Sequence, residues 1–455
     1  MVPIVTPDEM AAIDAAAPEP VDVLVQRAGA AVAWAARRML GGTYGRTVHV
    51  IAGKGNNGAD GRVAAARLSD WGASARVVEA ASCPATLPAA DLVIDAAYGT
   101  GFHGRWDPPD VGGSPVLAVD IPSGVDGRTG EAAPGVLAAE RTVTFAALKP
   151  GLLFDAGREL AGEVEVADIG LETGSAHAHL VEHDDVAEWW HPRERSSHKW
   201  SAAVRVVAGS PGMTGAAHLS AAAAGRAGAG MVVLSSPAID PPAPAEVVRR
   251  RLPGFDWAGE VLDGLDRFQA LVVGPGLGRE EHTVESVRSL LEAADIPVVL
   301  DGDGLFAASW NPDGTARLLR RRRAATVLTP HDGEYASLTG DRPGPDRLVA
   351  ARRLAADTRC VVLLKGPTTV VADPNGDALV VVTGDSRLAT AGTGDVLSGV
   401  LAALVAAGTP PFHAAAAAAW IHGEAARLGP EVGFVASDLL DALPPVLVGL
   451  GRAGG

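Results

Sequence analysis

Two segments of this chain run from a short apolar stretch through a glycine-rich turn into a helical pattern, and they are not copies of each other. The first, GKGNNGADG (Gly53 to Gly61), follows VHVIA and precedes RVAAARLSD. The second, AGTGDVLSG (Ala391 to Gly399), opens the pattern VLSGVLAALVAAG. A strand, a glycine turn and a helix start aim backbone N–H groups and the positive end of a helix at an anion, usually phosphate. Such units require a mostly parallel sheet with helices packed on its faces. Two unlike examples in 455 residues predict an α/β chain with two large domains and a site in each.

The rest of the chain supports that division. Apolar runs recur at 47–52, 75–79, 91–96, 115–120, 141–146 and 163–168 without clean alternation, as expected of strands covered on both faces. Residues 1–45 read as helical, with Val23, Leu24, Ala28, Ala31 and Val32 near the helical period. The polar stretch 171–198 reads as a linker with its boundary near 190–197. Its His177, His179, His183 and His191 lack the compact spacing of a metal site and fit a solvated segment better. From Ala202 a second series begins with the strands AVRVVAG, MVVLSS, ALVVGPG, PVVLDGDG, TVLTP and VVLLKGP, followed by a TVVADPNGDALVVV hairpin. No internal repeat relates the halves. The expectation is a Rossmann-like three-layer domain over 1–190 fused to an unrelated α/β domain over 196–455.

Composition removes several function classes. Apolar residues make up 47% and charged residues 20%, enough to build a sizeable core. The formal net charge of −16 argues against a general nucleic-acid or anionic-membrane binder. The run Arg320 to Arg323 is the exception, and reads as a solvated helix end. Cys83 and Cys360 are the only cysteines, so a disulfide framework is not expected. No secretory segment is visible, and glycine or proline interrupts the apolar stretches, so a cytoplasmic protein is expected. Among 38 basic residues only Lys54, Lys149, Lys199 and Lys365 are lysines, each beside a motif singled out here. Lysine is a compact charge that arginine does not replace at a tight phosphate site.

In the second domain, Gly392 and Gly394 let the backbone approach an anion, and Asp395 falls in the first turn of the following helix. There a carboxylate can take a proton from, or position, a hydroxyl being phosphorylated. A simple N-cap is the competing reading of GTGD. Its companions favour a site. LLKGPTTVV ends a strand at Lys365 and adds Thr368 and Thr369, and LDGDGL places Asp301 and Asp303 where a metal–phosphate or hydroxyl contact is expected. VLTPHDGEY puts His331 and Glu334 at a helix start, where Thr329 and Pro330 also fit a cap and first turn. The ordered set HKW, VVAGSPGMTGAAHL, VGPGLG, LDGDGL, TPHDGEY, LKGPTTVV and ATAGTGDVLSG resembles the ADP- or ATP-dependent NAD(P)H-hydrate dehydratases, whose fold is ribokinase-like. The likeness covers about residues 196–450. It implies phosphorylation of the C6 hydroxyl of a hydrated nicotinamide ring, loss of phosphate, and return of NADH or NADPH. It also implies Asp395 as base and Gly392, Thr393 and Gly394 as anion hole. Lys365, Gly366, Pro367, Thr368, Thr369 and Gly394 would bind the adenine nucleotide with Mg²⁺, and Ala216, Gly276 and His331 would line the hydrate pocket. Pro367 removes one backbone donor from the nucleotide loop.

GKGNNGADGR lacks the Lys–Ser/Thr ending of a Walker loop and the spacing of a dinucleotide fingerprint. Its amides and Asp60, with Asp95 in VIDAAYGTG and Asp120 and Ser123 in AVDIPSG, suit a hard cation. Turns are the alternative reading of such residues. NNGADG, GTG, DIPSG and TFAALKPG together resemble the NAD(P)H-hydrate epimerases over about residues 1–170. That likeness implies K⁺ held by Asn57, Asp95 and Ser123. The hydrate would be bound by Asn56, Asn57, Gly58, Ala59 and Asp60, by Gly99, Thr100, Gly101, Phe102, His103, Gly104 and Arg105, and by Asp120. Asp120 would be the acid/base at C6, with Lys149 stabilising charge. The connection FHGRWDPPDVGGSP is too rich in proline and glycine for the helix that homologues place there, which predicts an altered pocket wall. The expected partners are NADHX or NADPHX and ADP, with no nucleic acid, no membrane and self-association into a homo-oligomer. A ribokinase-like vitamin-precursor kinase with an accessory N-terminal half, and a first half that only binds or oligomerises, are the alternatives.

Overall fold

The computed structural model describes the chain except residues 103, 105, 239–242, 310, 311 and 453–455. The candidate residues His103 and Arg105 lie outside the described residues. The chain divides into two compact units, Val2–Ala178 and His179–Gly455 joined by Met1. Most of the stretch expected to be a linker is therefore ordered: it carries a strand and a helix, and Val186 on that helix is fully buried in the second unit's core.

In the first unit the elements are β1 (Val2–Ile4), α1 (Pro7–Ala16), α2 (Val21–Leu40), β2 (Thr47–Ala52), α3 (Asn56–Asp70), β3 (Ser74–Glu79), β4 (Leu92–Ala96), β5 (Val116–Val119), β6 (Arg141–Phe145), α4 (Asp155–Leu160) and β7 (Glu163–Ala167). The opening stretch is thus two helices after a short strand, broken at Pro18 and Pro20. Thr6 and Glu9 form a capping box that starts α1 with Pro7 in its first turn. The parallel order is β3-β2-β4-β5-β6-β7. Buried Ala28 and Val32 of α2 pack with Ala64 and Leu68 of α3 over Val48, Val50 and Ile94 of the sheet. The residues written as an asparagine loop are helical, because α3 begins at Asn56. Its glycines serve close packing: a Cβ on Gly58 would lie 2.0 Å from the Gly53 carbonyl oxygen.

No helix joins β4 to β5 among the described residues. Asp110 instead exchanges backbone hydrogen bonds with Ala85 and Leu87, at 2.8 and 2.9 Å. Trp106 is buried, with its ring edge-on to Tyr98 and 5.5 Å away. An aromatic plug and a bridge cover the sheet where a helix is absent.

The second unit contains β8 (Ala178–Leu180), α5 (His183–Trp189), β9 (Ala203–Val207), α6 (Thr214–Arg226), β10 (Met231–Ser236), β11 (Val248–Arg251), α7 (Ala258–Leu262), β12 (Ala270–Val273), α8 (Glu281–Ala293), β13 (Val298–Leu300), α9 (Asp303–Ser309), α10 (Pro312–Arg320), β14 (Thr326–Leu328), α11 (Asp332–Thr339), α12 (Arg347–Thr358), β15 (Val361–Leu364), β16 (Thr369–Ala372), β17 (Ala378–Val381), α13 (Thr393–Ala406), α14 (Pro411–Arg427) and α15 (Ala436–Arg452). Its strands lie in the order β8-β17-β16-β15-β14-β13-β12-β9-β10-β11. Neighbours from β15 to β11 are parallel, whereas β15, β16 and β17 form an antiparallel meander. Helix α13 is buried along almost its whole length against α6 and α14, which explains a pattern apolar all round. The arginine run is not wholly a solvated end. Arg322 donates to the Leu291, Ala294 and Ile296 carbonyl oxygens and to Thr326 Oγ1, satisfying the C-terminal end of α8. Both cysteines are free. No helix among the described residues is long and apolar enough to cross a membrane.

Candidate active sites

Open parallel sheets present ligands at the carboxyl ends of their strands, and both candidate sites lie there. In the first unit a cavity of about 610 Å³ is lined by α1, α2, the start of α3 and the ends of β4, β5 and β6. It brings together Asn56, Asn57, Asp60, Gly99, Thr100, Gly101, Phe102, Asp120 and Lys149. Gly58, Ala59 and Gly104 do not line it. Tyr98 and Phe102 form part of the wall with ring centroids 4.0 Å apart, so the short crossover still closes this side.

Strands β5 and β6 end alike. Asp120 has φ +66° with Ile121 N–H donating to Val119 O, and Ala146 has φ +62° with Ala147 N–H donating to Phe145 O. These three-residue γ-turns swing the chain sharply off the sheet. A non-glycine residue held left-handed is strained, and such strain gathers at functional sites. The Asp120 carboxylate faces the Lys149 ammonium at 2.8 Å and accepts from Thr144 Oγ1 at 3.0 Å. Lys149 is buried and also donates to Thr144 Oγ1 and to Phe145 O.

Two further carboxyls share the cavity. Burial, aided by Asp120 and Asp14, pushes Asp60 up to about 8, so it holds a proton at neutral pH. Asp14 was missed in the sequence. Its signal was its place four residues after buried Met10, on the same face of α1. Burial raises it, Lys149 lowers it and Asp120 raises it.

Asp95 is fully buried at the end of β4. Its Oδ1 accepts from Ser123 Oγ at 2.6 Å and its Oδ2 from Ser123 N at 2.9 Å. Burial pushes this carboxyl up against the pull of those bonds. Nearby, both side-chain polar atoms of Asn57 are buried without a partner.

In the second unit a cavity of about 400 Å³ is lined by Gly212, Met213, Gly215, Ala216, Pro275, Gly276, Gly302, Asp303 and Asp395. Ala216 and Gly276 meet there: a Cβ on Gly276 would lie 3.0 Å from Ala216 Cβ. His331 is not in this lining. It, rather than Thr329, caps α11, its Nδ1 accepting from Gly333 N and Glu334 N. Gly392 is the N-cap of α13 with φ +92°, a conformation that favours glycine. Thr393 and Gly394 follow as its first residues; Thr393 N–H donates to Thr390 O at 3.4 Å, and the next first-turn amides are those that a helix leaves without an internal partner and that can face an anion. The Thr393 hydroxyl turns inward, donating to backbone carbonyls, so only its main chain faces the loop. Behind it, burial pushes His422 down to about 4, and its neutral ring nitrogen Nε2 donates to Thr393 O at 2.9 Å.

Burial first, and Asp301 second, push Asp395 up to about 7. Asp301 accepts from Lys365, Thr329 and Ser398. Asp303 is likewise engaged, by Arg279 Nε at 2.8 Å and Gly278 N at 2.9 Å. Lys365 ends β15, and its N–H donates to Pro330 O. Burial lowers its proton affinity, but Asp301 and Glu334 outweigh that and raise it. In the nucleotide loop Arg347 Nη2 donates to Lys365 O at 2.7 Å beside Gly366, a neighbour that the sequence motifs did not point to. Thr368 is buried, and Thr369 begins β16, paired with Val381. Lys199, by contrast, is exposed ahead of β9 and lines neither cavity.

Comparison with known proteins places both halves. Residues 204–444 match the family described as NAD(P)H-hydrate dehydratase, and residues 21–87 and 78–151 match the family described as YjeF-related protein N-terminus. The bifunctional NAD(P)H-hydrate repair enzyme of Moorella thermoacetica is 35% identical over 98% of this chain and 96% of its own. That of Mycobacterium leprae is 37% identical over 90% of each. Among solved structures, an ADP/ATP-dependent NAD(P)H-hydrate dehydratase from Bacillus subtilis, co-crystallised with ATP and Mg²⁺, is 30% identical with a TM-score of 0.50. It covers 59% of this chain and 97% of that one. A ribokinase-like protein from Enterococcus faecalis, 20% identical with a TM-score of 0.52, matches in fold. With an anion loop over a basic carboxylate in one half, a lysine-paired aspartate in the other, and relatives matched along nearly its whole length, the chain belongs to the bifunctional NAD(P)H-hydrate repair enzymes.

Proposed function

We propose that this chain repairs hydrated NADH and NADPH in two steps, one in each half. The first half interconverts the R and S hydrates, and the second dehydrates the S form with ADP, giving the reduced nucleotide, AMP and phosphate. The observation that carries the reading is Asp395, an unpaired carboxyl of raised proton affinity, at the first turn of a helix whose start is an anion site. As a base it takes the C6 hydroxyl proton while the α13 amides and Lys365 hold the transferred phosphoryl oxygens. Phosphate then leaves with the C6–O bond and a C5 proton is lost to solvent, which restores the C5–C6 double bond of the ring. Lys365 to Thr369, with Gly394, bind the nucleotide, and Ala216, Gly276 and His331 the hydrate. Mg²⁺ would be carried on the nucleotide phosphates, whose charge it would neutralise.

At C6 of the hydrate a hydroxyl and a ring nitrogen share one carbon. Inversion there needs one of those two bonds to C6 to break and re-form on the other face, with a proton moved to or from that oxygen as it does. Asp120 is the acid/base, and Lys149 steadies its charge. Asp60 and the residues of the Gly99–Arg105 segment bind the substrate. Asn57, Asp95 and Ser123 fit K⁺: a buried carboxylate lacks a cation and an amide oxygen lacks a donor. Bound there, K⁺ supplies charge neutralisation.

Purified R and S hydrates, with ADP and ATP compared, test the whole reading through the absorbance of the reduced nicotinamide. Consumption of S alone, after allowance for spontaneous epimerisation, removes the first activity. A stable phosphorylated product instead of NADH and phosphate favours a kinase.

A further inference from the structure

Asp301 plays no direct part in the reaction proposed above, yet its side chain is tied to three other elements around the second site. It is 3% exposed, directly after β13. Its Oδ1 accepts from Thr329 Oγ1 at 2.8 Å and from Lys365 Nζ at 2.9 Å, and its Oδ2 accepts from Ser398 Oγ at 2.8 Å. Those donors stand at the end of β14, at the end of β15 and in the second turn of α13. One side chain therefore joins three strand ends to the helix that carries Asp395. A Cβ placed on Gly394 would lie 3.5 Å from Lys365 Nζ and 3.9 Å from Asp301 Oδ2, so both charges sit beside the first-turn amides.

We propose that Asp301 is the positioning residue of the dehydratase half, holding the Lys365 ammonium beside the Gly392–Gly394 loop and anchoring α13 to the sheet. The inference rests on ADP-dependent dehydration as proposed above. A lysine ammonium on a four-carbon stem has wide freedom, and a phosphate site that leaves it loose must order it at every turnover. Asp301 takes one of its three N–H donors, and Glu334 Oε2 at 3.5 Å faces a second. The third remains for a phosphate oxygen. The pair is held because separating it strands a buried carboxylate, which costs far more than the pair gains.

Asp301 also acts on Asp395 through space. Burial contributes most to the raised proton affinity of Asp395. Asp301, Asp303 and Glu334 add to it, and Lys365 from β15 opposes them. A neutral residue at 301 weakens Asp395 as a base while leaving its own contacts intact. A purely structural residue would not move that titration.

The test uses the full chain with the purified S hydrate. Asp301→Asn is expected to raise the ADP KM about tenfold and to move the acid limb of the dehydration kcat/KM about one pH unit lower. Epimerisation by the first half stays unchanged as the internal control. Ser398→Ala and Thr329→Val each release one tie without changing charge, and are expected to raise the ADP KM about threefold with the acid limb in place. An Asp301→Asn protein with its KM and acid limb both unmoved overturns the inference. If that variant does not fold, Ser398→Ala and Thr329→Val decide, and an unchanged ADP KM in both overturns it. An unmodified chain that returns no NADH from the S hydrate with ADP or ATP overturns the function itself, and the inference with it.

Discussion

Each half of this chain sets an aspartate, a lysine and a threonine hydroxyl at the carboxyl edge of a parallel sheet, and the two sets are wired differently. In the first half Thr144 and Lys149 meet Asp120, the carboxylate that lines the cavity. In the second, Thr329 and Lys365 meet Asp301, and the cavity carboxylate is a different residue, Asp395. The contrast teaches what a lysine does for a neighbouring acid. In the first half the ammonium touches the cavity carboxylate itself and fixes its place. In the second the ammonium is bound to Asp301, and burial first, with Asp301 second, raises the proton affinity of Asp395, which suits a base that must strip a hydroxyl.

The sharpest way to break this comparison is to neutralise each cavity carboxyl. Asp395→Asn is expected to cut ADP-dependent return of NADH by roughly a thousandfold while epimerisation survives. Asp120→Asn is expected to do the reverse, slowing R-to-S exchange by about a hundredfold and sparing dehydration of S. Either variant that damages both activities, or neither, ends the two-site account.

The pH dependence sharpens it. A base works only when ionised, and Asp395 is pushed up to about 7, so dehydration falls as pH drops below about 7 and levels off above it. A rate profile flat down to about pH 5 contradicts that wiring.

Cation binding tests the first half alone. K⁺ is expected to raise its melting temperature by a few degrees in the unmodified chain and not in Asn57→Ala, followed by calorimetry. The smallest effect concerns Asp60. Its folded-state value lies near 8, above the unfolded one, so the folded state favours the protonated form. Its contribution to stability is greatest below the unfolded value and is lost as pH rises toward about 8. Asp60→Asn is therefore expected to melt higher than the unmodified chain at alkaline pH, with the gain shrinking toward acid pH.

Much of the architecture was legible because parallel strands buried on both faces write themselves as unbroken apolar runs. Those at 47–52, 141–146 and 163–168 match strands to within a residue. Motif residues at strand ends were legible for the same reason: Asn57, Asp120 and Lys149 line one cavity, and Ala216, Gly276 and Asp395 another. Side-chain partnerships were not. Nothing local tells Asp301 from Asp303, yet one anchors Lys365 and the other pairs with Arg279. Those choices depend on residues up to 97 positions away, as between Asp301 and Ser398. That His331 caps α11 was not legible either, because that role depends on a backbone turn that composition does not reveal. The stretch 171–198 looked like a linker because a seven-residue helix with one buried valine leaves little periodic trace.

The left-handed turn at Asp120 limits what evolution can put there. Asparagine and aspartate visit that region far more readily than other residues with side chains, and glycine visits it freely. The twin turn at Ala146 shows that such a backbone can carry another side chain at a cost in strain, so asparagine and glycine are the cheapest replacements for the carboxylate rather than the sole ones. Descendants of this chain that abandon epimerisation should carry asparagine or glycine at this turn, a mark of lost activity readable from sequence long before the fold decays.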